Sequence, residues 1–507
     1  MTASSIAPGG DQQTSDRADE ALTALGYQPT LKRQLGFGAL LVHGLLFFVP
    51  MAPVAVFGIV VNRSGGLPVL AYLVAAAVMG LSALSYREMA LRYPVAGSVY
   101  GYVRLSMNHH VGAAAGWLML LDYTLLPSLL TVLAAISLGH LVSGAPVALL
   151  AALFVTASLA LNLMGIGITT RIGWVLLGIQ LSVIALFAFF VARQVWTGTL
   201  TLSFDSVWRA DLSWPMVLGA ASIAAFSYIG FDAVSTLNEE ARGGGRAVGW
   251  ATWVLLALAT VLFTVQNLLA HLVMPATSFP EGVSTTRAFY LAVDQVAPGW
   301  YSTLFTLTNA LVAIFACLVV SHASSARLVF AMARDNSLPR FLARTSRRGV
   351  PHVATLTVAL LTMGVAVGFA DHAETMTSLV TFGALTAYVI LHLAVISSCF
   401  FGERSGKWWA HLVSPIIGAG FLVVILSRTS DLTRWLGLGW LTFGMLVHVL
   451  LLVPGRRSPI PLNPDAVQHP SAPSIPTTPS IPTTPSIPST PSITSTPSES
   501  ITPDTKD

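Results

Sequence analysis

Twelve apolar runs, each near the length of a bilayer crossing, constrain this chain more than any other feature. They lie at about 37–61, 67–85, 111–138, 145–164, 172–192, 214–237, 249–274, 301–321, 353–370, 376–398, 411–427 and 435–453. A helix needs about 20 apolar residues to cross about 30 Å of hydrocarbon. The composition agrees: 54% of residues are hydrophobic and 9% charged, against roughly 25% charged in a soluble domain. The expected fold class is an all-α membrane protein of twelve transmembrane helices, one bundle over residues 35–454. Its first partner is the lipid bilayer.

The flanking basic residues orient the bundle. One side collects Lys32, Arg33, Arg87, Arg92, Arg104, Arg171, Arg242, Arg246, the arginines from 327 to 348, Arg404, Lys407, Arg456 and Arg457. The other has Arg63, Arg193, Arg209, Arg287, Arg428 and Arg434. By the positive-inside rule the richer side is cytoplasmic, and both termini fall there. The basic balance therefore marks membrane flanks and no nucleic-acid surface. Residues 1–34 read as a polar cytoplasmic segment without a cleavable signal. Residues 455–507, with the repeat "SIPTTPSIPTTPSIPSTPS", cannot bury a core and read as a disordered cytoplasmic tail. Cys317 and Cys399 lie in apolar runs, which argues against a disulfide framework. Arginine far outnumbers lysine and alanine is abundant, which points to a GC-rich bacterial genome; with the spans, the expected location is the inner membrane. No feature sets an oligomeric state.

Two runs are broken. "HGLLFFVPMAPVAVFG" carries Pro50 and Pro53 on either side of Met51. Each proline removes an amide donor and clashes with the preceding turn. "AAFSYIGFDAVSTLNEEAR" places Gly230 mid-run between Tyr228 and Asp232. Irregular backbone at membrane depth is tolerated only where protein or a watery cavity satisfies it. Breaks in spans one and six suit an inverted repeat of five helices followed by two more, the build of many secondary transporters. Pro50, Met51, Tyr228 and Gly230 would then line a midplane site.

Asp122, in "GWLMLLDYTLLP", is the carboxylate that needs explaining. At mid-membrane an acid costs about 2.5–3.5 kcal/mol on insertion scales. No Lys or Arg lies in the expected middle of any span, so a bound ammonium or a proton is the natural partner, with a backbone-capping role as the plainer account. Asp232 is a candidate for coupling or gating, and a structural role near the break is at least as good an account. Glu239 and Glu240 are candidates for coupling or gating at the cytoplasmic mouth, and a solvated gate or a salt-bridge pair with Arg242 is the plainer expectation. The histidines, including His109 and His110, show no paired metal-ligand spacing. No metal and no cofactor other than a coupling proton is expected. No nucleophile elbow or phosphate loop points to an enzyme.

"YREMALRYPVAGSVYGYV", "GFDAVSTLNEEAR" and "SSARLVFAMARDNSLP" resemble the amino acid–polyamine–organocation permeases along nearly the whole membrane region. "SMNHHVGAAAGWLMLLDYTLLP", "AFSYIGFDAVSTLNEE", "SHASSARLVFAMARDN" and "TFGALTAY" resemble most the bacterial putrescine importers of that superfamily. The resemblance implies proton-coupled import of a small organic amine by alternating access. It implies substrate recognition by Tyr123 and closure over the substrate by Phe226. Where those importers carry an acid beyond the first break this chain has Ala55, and where some amino-acid permeases carry a lysine it has Gln180. An amino-acid permease of the same fold is the alternative; a non-transporting membrane receptor is the alternative of another class.

Overall fold

Backbone amides and carbonyls find no water in hydrocarbon, so each apolar run satisfies them internally as helix. The computed structural model describes residues 9–139, 146–201, 208, 212–279 and 283–451. The expected tail at 455–507 lies outside the described residues, and everything described belongs to one compact unit, Met1–Pro470.

A first helix, α1 (Gly9–Ala24), precedes the bundle. The first span is two helices, α2 (Phe37–Phe48) and α3 (Pro53–Ser64), bent by 56° at the break. Then come α4 (Pro68–Arg92), the short α5 (Ser98–Ser106), α6 (His109–Gly139), α7 (Val147–Met164) and α8 (Ile166–Trp196). The sixth span begins as α9 (Trp214–Ala224), then continues in 3-10 turns over Ala225–Tyr228 and Phe231–Leu237. It is followed by α10 (Gly244–Val273), α11 (Val283–Val296) and α12 (Gly299–Leu307). A π turn at Thr308–Ala313 joins α12 to α13 (Ile314–Arg334). The chain closes with α14 (His352–Gly368), α15 (Ala373–Val395), α16 (Ser414–Leu426) and α17 (Asp431–Leu451).

Among the described residues nine helical segments are long and apolar enough to cross a membrane, and the bent α2–α3 pair makes a tenth. The shorter apolar helices α7 and α14 sit where the fourth and ninth runs were expected. Trp174, Val175, Phe189, Leu360, Val423 and Leu446 are exposed on the bundle's outside. An apolar exterior of this kind suits lipid, where helices associate through close packing and not by hiding apolar surface. Gly383 on α15 illustrates that packing: a Cβ there would lie 2.6 Å from the carbonyl oxygen of Leu118 on α6.

Candidate functional site

The two breaks meet each other. Val49 leaves α2 at φ 56°, and Gly230 opens the second 3-10 turn at φ 125°. A side chain at Gly230 would be strained at that φ, and its Cβ would stand 2.5 Å from the Phe47 ring. Glycine is therefore required twice over, by conformation and by contact. Backbone groups freed by the first break find side-chain partners. The Pro50 carbonyl accepts from Gln266 Nε2 at 2.8 Å, and the Phe47 carbonyl accepts from the Cys317 thiol at 3.4 Å. Met51 is buried beside them.

α6 crosses beside this junction. Pro127 sits inside it and offers no amide to the Tyr123 carbonyl one turn back. The Ser325 hydroxyl of α13 donates to that carbonyl instead. The Tyr123 ring lies 6.0 Å from the Phe47 ring. Its hydroxyl donates to Asp232 Oδ2 at 2.6 Å, and the Tyr388 hydroxyl on α15 donates to Oδ1 at 2.6 Å. Asp232 thus joins three elements through two phenols. Asp122, the preceding residue on α6, is fully buried. Among the described residues no hydrogen-bond partner reaches either of its oxygens. A buried carboxyl so placed needs a proton or a bound cation to neutralise it.

The bundle's two ends differ. At the Phe226 end a cavity of about 490 Å³ is lined by Val56, Ile223, Phe226, Glu374, Thr377 and Arg428, among others. Asp122 and Tyr123 do not line it. Tyr228 is buried, its hydroxyl donating to the Tyr72 carbonyl at 3.3 Å. At the opposite end buried ion pairs tie the elements together, beside a cavity of about 360 Å³ lined by Tyr27, Gln28, Phe330, Arg334 and Arg340, among others. Here the sequence-based expectation for Glu239 and Glu240 is corrected: both are buried, and neither pairs with Arg242. Glu239 takes Arg334 at 2.7 Å and Glu240 takes Arg327 at 2.8 Å. The reason is that α13 runs on to Arg334, beyond the expected end at 321, and two turns of helix set Arg327 and Arg334 on one face. Residues before α2 cover the same end. Leu35 bridges to Ala241, and Arg33 donates to the carbonyls of Asn238 and Ala241 at 3.1 and 2.9 Å. Tyr27 lies beneath the Arg334 guanidinium, 4.3 Å from ring centre. Burial, with the Asp335 carboxylate beside it, holds the Tyr27 hydroxyl well above the ordinary phenol range, against the pull of Arg104.

Of the remaining sequence candidates, Gln180 is buried and donates only to the Leu176 carbonyl of its own helix, at 3.3 Å. Three buried histidines make ordinary contacts: His43 with Ser324, His322 with Ser158, and His392 between Ser82 and Ser85. Tyr388, Ser325, Arg327 and Arg334 were not singled out from sequence. All four nonetheless lie in the motifs "TFGALTAY" and "SSARLVFAMARDNSLP".

A multi-pass helical bundle whose two interrupted spans meet beside buried carboxylates has the build of a membrane transporter, not an enzyme. A family model described as amino acid permease matches residues 40–461, and the chain belongs to that family, within the amino acid–polyamine–organocation superfamily. Over 449 residues it is 29% identical to the low-affinity putrescine importer of Escherichia coli (strain K12), covering 85% of this chain and 96% of that protein. It is 25% identical over 459 residues to the branched-chain amino acid permease of Bacillus subtilis (strain 168), covering 85% and 95%. It is also 25% identical over 447 residues to the methylthioribose transporter of the same organism, covering 82% and 91%. The chain is a transporter of amines or amino acids.

Proposed function

We propose that this protein imports a small organic amine of the putrescine class across a bacterial inner membrane, coupled to protons, with both termini in the cytoplasm. The observation that carries the reading is Asp122: a fully buried carboxylate without a protein partner among the described residues, next in sequence to the Tyr123 that contacts Phe47 and Asp232 at the two breaks. An ammonium brought to it would form a desolvated, charge-assisted pair, stronger than the same contact in water. Tyr123, the next residue on α6, bonds to a second buried carboxylate, Asp232, which Tyr388 also holds, and a pair of acids suits a substrate with two cationic ends. Protonation of one carboxyl when the amine leaves would balance charge through the cycle. The likeness to a putrescine importer over most of both chains supports the substrate class.

Alternating access requires one end closed while the other admits solute. The buried Glu239–Arg334 and Glu240–Arg327 pairs supply a closed end, and the cavity beside Phe226 supplies an entry. An inverted repeat relating the two broken spans is part of the same reading. The second reading, an amino-acid permease, is favoured by the likeness to the branched-chain permease. The deciding experiment is radiolabelled putrescine uptake into proteoliposomes with and without an imposed pH gradient, competed by cadaverine, arginine and neutral amino acids. Gradient-dependent accumulation blocked by diamines is expected. Accumulation of neutral amino acids, with no competition by putrescine, would replace the amine reading with the second. Ligand binding without any accumulation would favour a receptor.

A further inference from the structure

α17 docks on α6 in antiparallel register. Trp440 Nε1 donates to the Trp117 carbonyl at 2.7 Å, and a Cβ at Gly444 would sit 2.3 Å from the Trp117 ring. Two turns further, the same register brings His448 of α17 against His109 and His110 at the start of α6. α6 begins at His109, just before the apolar run expected from about 111. One ring nitrogen from each of the three histidines lies within 4.8 Å of the others. His448 Nε2 is 3.3 Å from His110 Nδ1, and the rings of His109 and His110 are 3.8 Å apart. His448 is buried, and its Nδ1 has no hydrogen-bond partner among the described residues. His110 is exposed and His109 half-buried, so the cluster is open to solution on one side.

We infer that His109, His110 and His448 form a three-histidine site for a borderline divalent cation, with zinc as its representative. Zinc binds imidazole nitrogen at about 2.0–2.1 Å in a tetrahedron, whose edges are then about 3.3–3.4 Å long. The His110–His448 separation already has that length, and only the third nitrogen has to swing inward. Neutral imidazoles suit zinc, copper and nickel; magnesium and calcium take oxygen ligands, which this cluster does not present. The fourth position is left for water. Arg104, a fixed cation whose field reaches His109, is itself paired with Asp335 at 3.4 Å, which limits its opposition. Bound metal clamps the last helix to the helix that carries Asp122. Spacing along the chain could not reveal the site, because 338 residues separate His110 from His448.

The test uses the purified full chain in lipid nanodiscs, titrated with zinc against a chromophoric chelator and, separately, with cobalt. One bound zinc per chain, a melting midpoint that rises with zinc concentration and a visible absorption band from tetrahedral cobalt are expected. All three are lost in His448→Gln and in His110→Gln, while His372→Gln, on an exposed residue elsewhere, keeps them. His110→Gln alters an exposed side chain and keeps the test valid should His448→Gln misfold. Equal zinc binding by wild type and both variants, or no binding by wild type, overturns the site.

Discussion

At the scale of single residues, Asp122 and Asp232 show how different surroundings separate two buried acids of the same type. Asp232 accepts from two phenols, whereas Asp122 has no donor among the described residues. Asp122→Asn is expected to reduce concentrative amine uptake to background while the protein still inserts and purifies. Uptake at unaltered affinity and rate would remove Asp122 from the cation site. Tyr388→Phe deletes one of the two donors to Asp232, and a hydrogen bond to a charged group is worth about 1.5–3 kcal/mol. Thermal unfolding of the purified variant should show a lowered midpoint together with slower transport; a midpoint equal to wild type would mean that Tyr388 does not support Asp232. The carboxylates were legible in the sequence because an acid stands out in an apolar run. Their different partners were not, since those come from residues more than a hundred positions away.

At the scale of elements, the broken spans depend on a few positions where the backbone cannot continue as helix. Both breaks follow from local chemistry, proline in the first and glycine in the second, and the sequence placed them correctly. That Phe47 and Gly230 touch is a tertiary fact. Gly230→Ala should therefore cost more than backbone strain of about 1–3 kcal/mol, because the Phe47 ring must also move. Gly219→Ala, on the exposed face of α9 with nothing within 4 Å of the new Cβ, should be neutral or stabilising by about 0.5–1 kcal/mol. Melting midpoints of the two variants, measured side by side, check the contrast. If Gly230→Ala melts and transports like Gly219→Ala, the two breaks do not depend on that contact.

At the scale of the whole molecule, buried ion pairs join the sixth span to α13 at one end, and the segment before α2 covers them through hydrogen bonds to the sixth span. Removing one partner of a buried pair strands the other, a loss of about 3–5 kcal/mol. Glu240→Gln alone is expected to destabilise the protein and raise hydrogen exchange in residues 27–35 as this end loosens. Adding Arg327→Met in the same chain removes the stranded charge and should recover most of the stability without restoring closure. If the double variant is no more stable than Glu240→Gln alone, the stranded Arg327 charge is not what the single variant loses. Glu239 and Glu240 were legible as a feature but misread as solvated, because hydropathy ends a helix where polar residues begin. α13 instead continues as helix past that point, carrying its arginines into the interior.

By itself the sequence determined the solvent: a chain so apolar and so poor in charge belongs in a bilayer, where helix is what the backbone can adopt. It also determined where two of those helices must stop, because proline and glycine act within a turn of themselves. Only the tertiary structure decided which polar groups meet. Tyr123 and Tyr388 on Asp232, Arg327 on Glu240 and His448 on His110 are pairings made by helix crossing and register, which depend on shapes far apart along the chain.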